Sequence, residues 1–188
     1  ELWPFQKAGV EYALRRRNTL IGDQPGLGKT AQAIAFANEI NAKRVLVLCP
    51  ANIRLQWVKQ IRRWTTMAWP YTVYPILHGR HGVHPTANWT VVSYDLARTE
   101  AIGKALAKGT YDLLVLDEAH YLKTIDSQRT RAIFGGGREP KFEALAEPVF
   151  LNLLQQPAAK ANGPHYDERN YSDEDCNLES SHGTTSRV

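Results

Sequence analysis

The chain has 188 residues, 43% of them apolar, and a formal charge of +4, enough for one domain with a substantial core. No apolar run approaches the roughly 20 residues of a membrane helix, the N-terminus carries no signal-peptide pattern, and the two cysteines, Cys49 and Cys176, lack metal-ligand spacing. Membrane proteins and cysteine-built metal sites are set aside, and a reducing, intracellular setting is expected: cytoplasmic in a bacterium or phage, nuclear in a eukaryote.

Residues 5–17 are predicted helical, with Phe5, Val10, Ala13 and Leu14 on one side. Arg15-Arg16-Arg17 suits the negative end of that helix. Thr19-Leu20-Ile21 is a short apolar run before "GDQPGLGKT", and a helix follows over 29–41. Val45-Leu46-Val47-Leu48-Cys49, stopped by Pro50, fits a strand buried on both faces, with Cys49 a small core residue. Residues 52–65 place Ile53, Trp57, Ile61 and Trp64 at helical spacing. Trp57, Trp64 and Trp69 are read as packing residues rather than base-stacking platforms.

Residues 71–77 read as a strand, with Pro75 arguing for a sheet edge or a break. The run 78–84 holds His78, His81 and His84 but no cysteine or carboxylate, so it is read as a solvated loop. Residues 89–93 read as a strand, 95–108 as a helix capped by Asp95, and 112–117 as a second strongly apolar strand. The alternation predicts an α/β fold with a mostly parallel central sheet flanked by helices. Further on, helices are expected over 125–134 and over 142–154, the latter interrupted by Pro148. Residues 157–188 read as loop or disorder. Residues 155–188 carry a net charge of −3, leaving +7 on the rest. A basic body of that kind fits nucleic-acid partners, since phosphate contacts supply most non-specific affinity.

Gly26-Leu27-Gly28-Lys29-Thr30 stands where a strand hands over to a helix. Glycines admit phosphate oxygens to backbone N–H groups, and the helix N-terminus adds positive potential. Lys29 then reaches the β- and γ-phosphates, and Thr30 offers a hydroxyl to Mg²⁺. The strict phosphate-loop pattern asks for glycine five residues before Gly28, where Asp23 stands, so a plain glycine-rich turn is the competing reading. A second segment, "LLVLDEAHYLK" (113–123), decides between them. Asp117-Glu118 closes an apolar strand, where open α/β sheets place their ligands. An aspartate there can hold Mg²⁺, and the adjacent glutamate can orient and deprotonate a water. The two segments together point to nucleoside triphosphate binding with Mg²⁺, with Gly26, Gly28, Lys29, Thr30, Asp117 and Glu118 as the site.

GLGKT (26–30) with DEAH (117–120) resembles the superfamily 2 helicases and translocases, and within them the SNF2-like ATPases, whose loop usually reads DEMGLGKT. "LWPFQKAGV" (2–10) looks like the family's adenine-side segment, which makes Gln6 the reader of the adenine edge. "VLVLCPANIRLQW" (45–57) looks like motif Ia, "VVSYDLA" (91–97) like motif Ib, and "DEAHYLKT" (117–124) like motif II. The resemblance covers about residues 2–147. It implies the first of two RecA-like lobes of a DNA-stimulated ATPase, with ATP as the nucleotide, double-stranded DNA as partner and a second lobe in cis or in trans. It further implies that His120 couples the nucleotide site to DNA or to that lobe. Pro50, Ala51, Ser93 and Tyr94 would lie near the DNA track, with Lys123 and Arg129 as candidate backbone contacts.

The family continues with motif III, an apolar strand ending in a Thr-Gly-Thr-like turn, and none is found here. Ser181-His182-Gly183-Thr184-Thr185 lacks an apolar strand before it. The expected organisation is a lobe over 1–147 and a tail over 148–188 unlike the family. Without the second lobe and its arginine finger, slow hydrolysis is expected. Two other readings remain open: a lobe of another superfamily 2 motor, such as an RNA helicase or restriction-type translocase, and a module that grips nucleotide or DNA without hydrolysis.

Overall fold

The computed structural model describes residues 1–16, 18–122 and 130–131, and the backbone of 149–153. Its core is a six-stranded, fully parallel sheet in the order β1-β6-β5-β2-β4-β3. The strands are β1 (Asn18–Ile21), β2 (Val45–Cys49), β3 (Val73–Ile76), β4 (Trp89–Ser93), β5 (Leu113–Asp117) and β6 (Val149–Leu153). Helices α1 (Pro4–Leu14), α2 (Lys29–Glu39), α3 (Arg54–Trp64), α4 (Tyr94–Ala97) and α5 (Glu100–Ala107) connect them. Among the described residues no helix is long and apolar enough to cross a membrane.

The apolar run of β2 splits by parity, as side chains alternate along a strand. Val45, Val47 and Cys49 join Ile34, Phe36, Trp57 and Ile61 on the face covered by α2 and α3. Leu46 and Leu48 join Tyr94, Ile102 and Leu106 on the face covered by α4 and α5. Both faces are therefore dry, which is why the central strands read as unbroken hydrophobic runs. Pro75 sits in β3, the strand at one end of the sheet, as the missing N–H of proline requires.

Three elements differ from the sequence reading. The helix expected over 95–108 is two helices, and its cap is Ser93, not Asp95: Ser93 Oγ accepts from Leu96 N. Thr99 then ends α4 by donating its hydroxyl to Leu96 O at 2.7 Å, so the chain restarts as α5. The segment 149–153, read as the end of a helix, is a strand between β1 and β5. Five apolar-rich residues fit either form, and the open slot between two parallel strands selects the extended one. An apolar strand does therefore follow β5, and it carries the sheet past the boundary drawn at 147. Residues Glu1–Pro157 make one compact unit. Third, α3 ends at Trp64, so Trp69 does not continue its spacing; it is 82% exposed, not a packing residue, and meets Tyr71 edge-on. The helix expected over 125–134 lies outside the described residues except for Thr130 and Arg131, and so do the glycine run 135–137 and the tail from 154 onward.

Candidate active site

The C-terminal end of β1 opens into a loop that turns into α2 at Lys29. Gly28 takes a left-handed conformation, φ 72° and ψ 36°, and a Cβ there would lie 2.5 Å from Gln6 Nε2. Gly26 is also left-handed, at φ 82°, with open space where a Cβ would stand. The loop is thus closed toward α1 and open on its outer side. Lys29 is buried, and its ammonium donates to Asp23 O at 2.7 Å and Gln24 O at 3.0 Å. Asp23, at the position where the strict pattern has glycine, accepts at Oδ2 from the fully buried Gln32 Nε2 at 2.7 Å. Gln32 Oε1 has no partner and lies against Gly9, where a Cβ would approach within 2.2 Å. This Asp23–Gln32 brace was missed in the sequence, where Gln32 reads as one more residue of an ordinary helix.

Gln6 is buried and held at both ends. Its Oε1 accepts from Trp3 N at 2.9 Å and its Nε2 donates to Leu27 O at 3.0 Å. The N-terminal segment and the glycine loop are joined through this one amide.

At the end of β5, Asp117 accepts from the indole Nε1 of Trp57 at 2.7 Å on Oδ2. Burial pushes the Asp117 carboxyl above its usual range, and the indole hydrogen bond works against that rise. Tyr94 donates its hydroxyl to Asp117 O at 2.7 Å. Burial, reinforced by the neighbouring Asp117, pushes the Tyr94 phenol upward, so it stays a donor. The same two causes push the Cys49 thiol up, which fits the inert core residue read from the sequence. Glu118 has φ 54° and a buried side chain. Its Oε2 lies 3.0 Å from His120 Nδ1 and has no other partner. The His120 ring lies 4.6 Å from that of Tyr121, which stacks on Tyr94 at 6.0 Å. The acidic strand end and the 93–97 segment are therefore in continuous contact.

Gln6, Gly26, Gly28, Lys29, Thr30, Asp117 and Glu118 all line one pocket of about 430 Å³. Helix α3 adds Gln56, Trp57, Gln60, Arg63 and Trp64 to its wall; their i, i+4 and i+7 spacing could have flagged a second working face on that helix. Of the candidate DNA contacts, Pro50 is half-buried and Ala51 exposed, while Ser93 and Tyr94 are buried with their hydroxyls used internally. Lys123 and Arg129 lie outside the described residues. In the histidine loop, His81 O accepts from Tyr74 OH, and among the described residues no group of three His, Cys, Asp or Glu could hold a metal ion.

The model of the SNF2-related domain matches residues 5–135. Mouse DNA annealing helicase and endonuclease ZRANB3 is 31% identical over 138 residues, 71% of this chain and 13% of that protein. The Xenopus tropicalis SWI/SNF-related matrix-associated actin-dependent regulator of chromatin subfamily A-like protein 1 is 34% identical over 133 residues, 70% of this chain and 14% of that protein. The chain thus spans about one seventh of the length of these relatives. The Sulfolobus solfataricus SWI2/SNF2 ATPase core, solved in complex with dsDNA, superposes with a TM-score of 0.68 at 20% identity, over 84% of this chain and 32% of that one. At that identity the likeness speaks for the fold, a RecA-like α/β lobe. With a glycine loop and a DEAH strand end facing one pocket, and with the family's model running from α1 past β5, the chain belongs to the SNF2-related domain family and corresponds to its first lobe.

Proposed function

We propose that the chain is the ATP-binding lobe of a DNA-dependent ATPase that acts on double-stranded DNA. One observation carries the reading: the Lys29-Thr30 loop and the Asp117-Glu118 strand end, about ninety residues apart, line a single pocket. The donor set fits a triphosphate with a divalent cation. Backbone N–H groups of the loop and the start of α2 offer an anion site, and the open side of Gly26 leaves room for phosphate oxygens. A hydroxyl, Thr30, and a carboxylate, Asp117, are hard oxygen ligands suited to Mg²⁺.

In the reaction, Lys29 exchanges the carbonyls of Asp23 and Gln24 for the β- and γ-phosphate oxygens. Thr30 and Asp117 would hold the metal, which would supply charge neutralisation at the phosphoryl group. Glu118 orients the attacking water and takes its proton. The buried Oε2, with only His120 beside it, is free for that work. His120 reports the state of Glu118 toward the DNA side through Tyr121 and Tyr94. Gln6 reads the adenine edge. Pro50 and Ala51 lie near the DNA track, with Ser93 and Tyr94 behind the acidic strand end, and Lys123 and Arg129 are candidate backbone contacts by sequence. The relatives' names, annealing helicase and chromatin regulator, and the neighbour's dsDNA complex support DNA as the partner and an intracellular setting.

Titration with a fluorescent ATP analogue and Mg²⁺ tests the reading. Lys29→Ala is expected to weaken binding at least about 10-fold, the loss of one or more charge-assisted contacts. Unchanged affinity would overturn it.

A further inference from the structure

We infer that Trp57 is a positioning residue for the cation site: its indole N–H holds one oxygen of the Asp117 carboxylate and leaves the other for the metal. The inference rests on the reading of Asp117 as a metal ligand. Trp57 stands near the start of α3, sixty residues before Asp117, and its Nε1 donates to Oδ2 at 2.7 Å. The ring is 1% exposed and packs with the core beneath α2 and α3. It cannot swing without opening that core, so the donor is fixed in direction. An indole donates and never accepts. It therefore orients a carboxylate without competing for a cation, the part that partners behind metal ligands play.

The indole nitrogens of buried Trp89 and half-buried Trp64 have other partners. Trp89 Nε1 meets Met67 Sδ at 3.2 Å, and Trp64 Nε1 meets Gln60 Oε1 at 3.0 Å. Trp57 alone of these three directs its N–H at the acidic strand end.

The test uses the full 188-residue chain and mant-ATP, titrated first in EDTA and then against rising Mg²⁺. Trp57→Phe keeps most of the packing and removes the donor. Replacing Trp57 by benzothienylalanine keeps the bicyclic shape with sulfur in place of N–H, and serves if the phenylalanine variant fails to fold. The Mg²⁺ concentration giving half the rise in affinity is expected to increase about 10- to 100-fold, a larger loss than any change in metal-free affinity. An unchanged Mg²⁺ midpoint, or equal losses with and without metal, would overturn the inference and leave Trp57 a packing residue. Absence of any Mg²⁺ enhancement in the wild type would instead overturn the assignment of Asp117 as a ligand, and this inference with it.

Discussion

Asp117 is held where its charge is costly to the fold and, in the proposed mechanism, required by the metal. Burial raises its carboxyl above the unfolded-state value, so the ionised form penalises folding. The sign follows from linkage: the penalty is complete above the folded value, shrinks as pH falls through it, and vanishes below the unfolded value. Asp117→Asn, which can still accept from Trp57, is therefore expected to melt at a higher temperature than wild type without nucleotide. The gap should be widest at neutral pH and close in acid, while Mg²⁺-dependent binding is lost. Calorimetric scans across pH check this; a lower melting temperature at neutral pH contradicts it. Lys29, Thr30, Asp117 and Glu118 were legible because each motif is a contiguous run. The partners that hold them were not. Trp57 and Gln32 read as one more turn of an amphipathic helix, and their roles exist only once parallel strands bring distant segments side by side.

The elements carry their own constraints. Gly28 is the N-cap of α2 in a left-handed conformation, with Gln6 against its open face. Gly28→Ala would cost about 1–2 kcal/mol for the backbone alone and would push Gln6 off Leu27, so both melting temperature and nucleotide affinity should fall together. Gly103 in α5 makes a sharper case. Alanine in a helix normally gains about 1 kcal/mol over glycine, but a Cβ here would sit 2.7 Å from the backbone oxygen of Ala97. Overpacking costs about 1–3 kcal/mol, so Gly103→Ala should lower the melting temperature; a rise would show that α4 and α5 can slide apart. The strands β2, β4 and β5 were plain in the sequence because burial on two faces erases polar interruption. The α4–α5 break was hidden, since Ser93 and Thr99 cap through hydroxyl geometry that spacing does not reveal. Strand β6 was hidden because a short apolar run has no period of its own.

At the scale of the molecule, one RecA-like lobe has, on the proposed reading, a phosphate loop, metal ligands and a base, but only one side of the nucleotide. An arginine finger contributes about 10³–10⁵ in rate, roughly 4–7 kcal/mol, more than positioning by one lobe supplies. The isolated chain should bind MgATP and hydrolyse it slowly, and a second lobe added in trans should raise turnover. Brisk DNA-stimulated turnover by the chain alone, in a coupled phosphate-release assay, would defeat that view. DNA affinity should fall steeply with salt, since phosphate contacts dominate it; salt-independent binding would point to another kind of grip. The sheet order adds a demand that the family match, ending at 135, does not reveal. Strand β1, which launches the nucleotide loop, meets the rest of the sheet through β6 alone. The earliest of the described strands is thus anchored by the latest of them. A protein ended at residue 147 keeps every signature letter of the pocket and loses the splint that holds its two halves in register, so it should no longer retain ATP.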